Sequence, residues 1–423
     1  MTILRNLITR IFSAKHSKEI AWAYISKAIS LGGGVAILLF LPNLLGAEEY
    51  GRFSLVLSYI AVLGILFANS INGSIKTDLS HRGFSTHSFI VFSEALKLKL
   101  LLFGTTTVVF LGIIPYLNIE VLQEYSLLFL FLLFAMNFWG LVIAAFEALH
   151  RLFFITIMYI LEYTIKIGGI LLLFIYSNVT FENVLTIFIF SYIIALCVGL
   201  YILKHIFQIS LSWSLLFFKL SIDRNILTRT FYYTFTGASF VILARTDIIM
   251  IGEMLSEEKA GIYGLASDYA KKATLLSIPI VHGVIPLFAK TQNISQLFLQ
   301  YAKRISKINI GIFFFILIAA FPFIHLVYGE EYTSSTYVLM LLGMFPLLSV
   351  LQNFTQQILM TLNAAKETFL AANITTVINI IFNFLGIYSL GIYGAAIATL
   401  IAYVVWVSIN YFSLRRFFNE SGN

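Results

Sequence analysis

Charge and cysteine are what this 423-residue sequence has least of: charged residues make up 11%, and Cys197 is the single cysteine. Soluble domains carry about 25% charged residues. So low a share excludes a soluble globular enzyme, a disordered chain and a coiled coil, which all need a larger polar fraction. One cysteine excludes a disulfide framework and a cysteine-based metal site. The seven histidines, at 16, 81, 87, 150, 205, 282 and 325, show no metal-ligand spacing. The sequence has no Walker A motif and no G-x-S-x-G elbow, so neither ATP hydrolysis nor serine-hydrolase chemistry is written in it. No cofactor is expected, and transport uphill would draw on a proton or sodium gradient.

What the sequence has is apolar length. Hydrophobic residues reach 60% and aromatics 16%. A transmembrane helix needs ~20 mostly apolar residues. Twelve such stretches occur, at about 20–45, 53–75, 90–115, 125–146, 152–176, 183–203, 230–252, 260–288, 308–328, 335–362, 368–388 and 392–414. In the third, Lys97 and Lys99 sit in the first turns and are expected to snorkel to the interface. Residues 1–18 interleave apolar and basic positions at helical spacing, as a surface-lying amphipathic helix would.

An even number of spans puts both termini on one side. That side collects 20 of the 27 basic residues; the other has only Arg52 and Lys259, with ten acids. Such asymmetry over short loops is the positive-inside signature, so both termini are expected in the cytoplasm. The longest inner loop, 204–229, falls at the midpoint. It separates an N-terminal six-helix bundle over 1–203 from a C-terminal one over 230–423. Across it runs a repeat: LGAEEYGRFSLVLSY (45–59) and LSEEKAGIYGLASDY (255–269) share five identities at a constant offset of 210. Each copy bridges the first and second helices of its half. The expected fold is therefore an all-α polytopic membrane protein, two six-helix bundles as parallel repeats around a central cavity.

Ionisable groups inside spans are costly and mark function by default. Eight lie there: Lys27, Glu162, Lys166, Arg245, Asp247, Asp268, Lys271 and Lys272. Base exceeds acid by two. Arg and Lys suit an anionic ligand, Arg as a bidentate fork and Lys as a point charge. Lys27, Arg245, Lys271, Lys272 and Lys166 are thus candidate cavity cations. Glu162, Asp247 and Asp268 are candidate ion-coupling carboxylates. The bland alternatives are helical pairs: Glu162 with Lys166 at i,i+4, and Asp268 with Lys271 or Lys272. Gln352, Gln356 and Asn69 are candidate sugar contacts, against the commoner role of polar residues as joints between helices. Pro279 and Pro286 mark a kink or hinge in the eighth span.

The segments 41–59, 244–272 and 391–403 (LPNLLGAEEYGRFSLVLSY, ARTDIIMIGEMLSEEKAGIYGLASDYAKK and GIYGAAIATLIAY) resemble the polysaccharide-transport family of the multidrug/oligosaccharidyl-lipid/polysaccharide exporter superfamily, most of all O-antigen flippases of the Wzx type. The resemblance implies movement of an undecaprenyl-pyrophosphate-linked oligosaccharide from the inner to the outer leaflet of the bacterial inner membrane by alternating access. It implies as partners that lipid-linked glycan, membrane lipid, and a polysaccharide polymerase with its chain-length regulator, but no nucleic acid. Exporters of other polysaccharide classes and a cation-coupled drug antiporter of the same superfamily remain alternatives. The antiporter would favour cavity carboxylates over the excess of base. A membrane-embedded glycan polymerase or transferase is the distant alternative. It would need a larger outer loop or a polar catalytic cluster there, so no enzyme is expected.

Overall fold

The computed structural model describes residues 17–82, 86–117, 119–205, 224–288, 291 and 293–420. The side chains of 17, 20, 66–70, 73–91, 94, 224–236, 419 and 420 lie outside that description. The expected amphipathic start and most of the 204–229 connection fall outside it too.

The described residues are nearly all helical. The helices are α1 (Ser17–Arg82), α2 (Thr86–Ile113), α3 (Glu120–Glu124), α4 (Ser126–Ala148), α5 (Leu152–Ile175), α6 (Phe181–His205) and α7 (Arg224–Met254). After them come α8 (Glu257–Ala273), α9 (Ile278–Phe288), α10 (Ile294–Tyr328), α11 (Thr333–Leu341), α12 (Phe345–Thr361), α13 (Ala365–Leu390) and α14 (Ile392–Glu420). Among the described residues, nine helical stretches are long and apolar enough to cross a membrane, or ten with a bent pair counted as one span. The chain is a multi-pass membrane protein.

The first stretch, Ala21–Ile65, has 45 residues. At ~1.5 Å per residue that is about 68 Å, more than twice a ~30 Å hydrocarbon core. It is broken at Gly46, whose φ of 76° is open to glycine and strained for other residues. Two of the twelve apolar stretches thus share α1. The bent pair is Glu257–Leu276 with Ile278–Phe288, at 46°. The break falls at Ser277, two residues before Pro279. The Ser277 hydroxyl donates to Asn309 Oδ1 of α10 at 3.1 Å, both groups buried. Proline removes a backbone donor and clashes with the preceding turn, and the side-chain bond holds the resulting bend.

Helix ends follow local chemistry. Ser256 caps α8, accepting from Lys259 N at 3.2 Å, with Glu257 and Glu258 in the first turn beside the positive end of the dipole. Gly329 and Gly391, at φ 73° and 60°, close α10 and α13.

The chain divides into two compact units. One holds Met1–Leu44 and Leu63–Ile222, the other Leu45–Val62 and Asp223–Asn423. The core of the first is built on Phe138, Leu141, Val142, Phe146, Met158 and Leu203. That of the second includes Val281, Phe288, Phe298, Val350, Phe354 and Ile358. In this division 45–62, the first copy of the repeat, goes with the second unit. The two copies lie against each other. A Cβ on Gly51 would strike the Glu257 carbonyl, and one on Gly261 would strike the Ala47 carbonyl. Glycine at both positions is what lets these backbones touch.

Candidate functional site

The charged residues expected inside the spans divide between the units and are handled differently in each. In the first unit, Glu162 and Lys166 sit one turn apart on α5, both buried, and pair directly. The Lys166 ammonium also faces three aromatic rings, with centroids at 3.8 Å (Tyr192), 4.6 Å (Phe188) and 5.4 Å (Tyr163). Ring faces attract a cation most strongly where water is absent. Lys166 therefore presents no open surface in this conformation, and its charge is met by Glu162.

Lys27 is placed otherwise. It is exposed on a face of α1 with Tyr24, Ala28, Leu31 and Gly32, spaced i, i+3, i+4, i+7 and i+8. Ala28 and Gly32 are the small residues of that face, and Tyr24 and Leu31 its large exposed ones. Lys99 departs from its expected snorkelling. It is 0% exposed, and its Nζ donates to the Asn137 carbonyl of α4 at 2.8 Å. The helix carries it into the bundle, because the apolar residues beside it cover the stem.

In the second unit, α7 and α8 bring Arg245, Asp247, Asp268 and Lys271 into one neighbourhood. Arg245 Nη1 lies 3.8 Å from Asp268 Oδ1, with both side chains about 30% exposed (30% and 27%). That is a long, partly solvated contact. Lys271 Nζ donates to the Ala244 carbonyl at 2.7 Å. The acid expected to pair with Lys271 or Lys272 is thus turned to Arg245, because neighbouring helices bring groups closer than spacing along one helix does. Lys272 is half-buried. Asp247 is buried, and Tyr263 of α8 donates its hydroxyl to Oδ2 at 2.7 Å. Its Oδ1 accepts from Ile248 N at 2.9 Å.

Gln352 is buried and donates through Nε2 to Gln356 within α12, while its Oε1 has no partner. The Asn69 side chain is outside the described residues. Among the described residues no three His, Cys, Asp or Glu side chains gather as a metal site requires.

Sequence patterning missed Tyr263, Tyr192 and Phe188, the partners of the buried charges. Each sits on a different helix from the group it serves, so no spacing could have announced it. It also missed a cluster where the repeat copies meet. Arg52 Nε donates to Glu257 Oε2 at 2.5 Å and Arg52 Nη2 to Glu48 at 2.8 Å. Tyr59 donates to Glu253 at 2.6 Å, and Ala47 N to Glu331 Oε1 at 2.6 Å. The repeat itself was the available signal, since Gly51 and Gly261 occupy matching positions in it.

Residues 17–292 match the family described as polysaccharide biosynthesis protein. One relative is a probable low-salt glycan biosynthesis flippase, Agl15, of Haloferax volcanii, 27% identical over 165 residues, or 38% of this chain. The match spans about a third (35%) of that relative's length. Among solved structures, an inward-facing multidrug-resistance transporter of the MATE family and MOP superfamily aligns with a TM-score of 0.75 at 15% identity, covering 96% of this chain and 99% of that one. The lipid II flippase MurJ in an inward closed conformation aligns at 0.68 and 13% identity, covering 94% and 87%. At such identities the likeness is one of fold.

Proposed function

We propose, from the premise that the chain belongs to the polysaccharide biosynthesis protein family, that it is a flippase carrying a lipid-linked glycan across a cytoplasmic membrane by alternating access. The cargo on this reading is an oligosaccharide on undecaprenyl pyrophosphate, an O-antigen repeat unit or a similar glycan. One observation carries the assignment of charge. Among the described residues inside the spans, Lys27 is exposed on its helix face and Arg245 sits in a long, partly solvated pair. A pyrophosphate is an anion that Arg245 can take within the second unit, displacing Asp268 because that contact is weak, and Lys27 is a separate exposed cation of the first unit. Lys271 and Lys272 add positive potential next to Arg245. Both termini face the cytoplasm on the 20-to-2 division of basic residues.

An ion gradient drives the cycle, and Asp247 is the carboxylate that takes the ion. It is buried, yet set one bond from a phenol that can follow its change of charge. The drug-antiporter alternative draws on the higher TM-score to the multidrug transporter, but fold does not decide cargo. The test is complementation of flippase-null strains whose repeat units differ in known ways, with Lys27→Ala and Arg245→Ala alongside. Surface polysaccharide is expected from the parent chain and not from either variant. Full complementation by both variants at normal expression would sink the cationic assignment. Drug resistance without surface glycan would favour the antiporter.

A further inference from the structure

A second polar feature of the C-terminal unit takes no part in binding the anion. On α14, Thr399, Tyr403, Trp406 and Asn410 follow at i, i+4, i+7 and i+11, one stripe, all buried. On α12, which packs beside it, Ser349, Gln352 and Thr355 make a matching buried stripe. The stripes meet at their ends. Asn410 Nδ2 donates to Thr355 Oγ1 at 3.2 Å. The Tyr403 hydroxyl faces Ser349 and lies near Asp247.

Depth fixes the direction of the seam. Thr399 is seven residues into α14 and Asp247 seven residues from the end of α7, each about 10 Å at ~1.5 Å per residue. The Gly391 turn before α14 approaches Leu255 just after α7, so those two ends lie on the same side. From Thr399 to Asn410 is about 16 Å by the same rise. The seam thus runs from the level of Asp247 to within two turns of Arg415 and Arg416.

Helix-joining bonds account for part of this polarity, as with Asn410 and Thr355. They leave four buried atoms along the seam with no hydrogen-bond partner: Thr399 Oγ1, Gln352 Oε1, Trp406 Nε1 and Asn410 Oδ1. A buried polar atom left bare costs ~1–3 kcal/mol. Four in line with a buried carboxylate at the head is an arrangement that water, with its two donors and two acceptors, satisfies.

We propose that these stripes enclose a file of water that conducts protons between Asp247 and the basic end of α14. A proton taken up on the Asp247 carboxylate passes to water beside Tyr403 and Ser349, then along Gln352 and Trp406 to Asn410. One proton enters and one leaves, and no other bond changes. Proton conduction by this seam rests on the ion-driven function proposed above, whereas its water does not.

Two measurements on the full chain test it. In lipid nanodiscs, millisecond hydroxyl-radical labelling modifies side chains that touch water. Tyr403 and Trp406 are expected to label well above Tyr332, which is as deeply buried. Labelling of both at the Tyr332 level, with exposed Tyr388 reacting, would overturn the water file. In proteoliposomes with an internal pH dye and an imposed potential, Gln352→Leu and Asn410→Leu are expected to cut proton entry by about tenfold. Ser408→Ala, on the exposed side of α14, should leave it unchanged. If Asn410→Leu does not fold, Trp406→Phe keeps an aromatic ring while removing the indole N–H with the rest of its pyrrole ring, and should still slow entry. Unchanged flux in both Gln352→Leu and Trp406→Phe would overturn conduction. Labelled Tyr403 with no glycan movement would leave the seam standing and remove the flippase, and glycan movement with silent labelling would do the reverse.

Discussion

The two units treat buried charge in opposite ways. The first closes Glu162 and Lys166 into a pair on one helix and walls the ammonium with three rings. The second distributes its charges among unlike partners. Arg245 meets Asp268 across 3.8 Å, Asp247 holds a phenol and Lys271 holds a carbonyl. A closed pair resists exchange, because separating it strands two charges where water does not reach. A set of half-satisfied contacts changes partners readily when an anion or proton arrives. The first arrangement suits a fixed joint, the second a working surface.

The strongest way to break that comparison is to remove one side of the closed pair. Lys166→Met leaves the Glu162 carboxylate buried with no cation, an error that costs ~3–5 kcal/mol. Thermal unfolding in detergent should show a large loss, and the double variant Glu162→Gln with Lys166→Met should recover most of it. A single variant as stable as the parent would mean that the pair is no joint.

A smaller effect is expected where the second unit holds the repeat. Ala at Gly51 or Gly261 places a methyl on a backbone carbonyl, which cannot turn aside as a side chain does. Overpacking of this kind costs ~1–3 kcal/mol. Crosslinking between cysteines at 48 and 258 should fall in either variant. Undiminished crosslinking would show that the helices tolerate a Cβ there.

Arg245→Ala should change stability by less than ~1 kcal/mol, since long, partly exposed ion pairs contribute little. Glycan export should nevertheless fall. Loss of export with a stable, inserted protein separates the working surface from the joint. A collapse in stability would place Arg245 with Lys166.

These contrasts show where sequence suffices. Glu162 and Lys166 were readable as a pair because four residues on a helix bring side chains together without help from the fold. The break near Pro279 was readable because proline acts on its own helix. By contrast, Arg245–Asp268 and Asp247–Tyr263 join α7 to α8, and only packing decides which rotation puts those faces together. The repeat located 45–59 and 255–269, but its symmetry suggested equivalent places in separate bundles. Their contact within one unit follows from two glycines whose meaning appears only when the backbones meet. Composition could not place Lys99 either, since a lysine near a span's end reads as snorkelling until the bundle covers it.

Lys99 offers the smallest effect and the finest test of the comparison. Lys99 is fully buried with a carbonyl for its acceptor at 2.8 Å, where Lys166 has a carboxylate. The Asn137 carbonyl belongs to α4 and keeps its place in that helix's own hydrogen bonding. Lys99→Met therefore removes a charge from an apolar interior, keeps most of the side-chain volume and strands no acid. Replacing a buried ionic group with an apolar one of like shape is often neutral or stabilising. The melting temperature of Lys99→Met should equal or exceed that of the parent, unlike the large loss in Lys166→Met. If it instead falls by an amount worth more than ~1 kcal/mol, a second acid in the first unit depends on Lys99. The first unit would then hold two charge-paired joints, and its contrast with the second would widen.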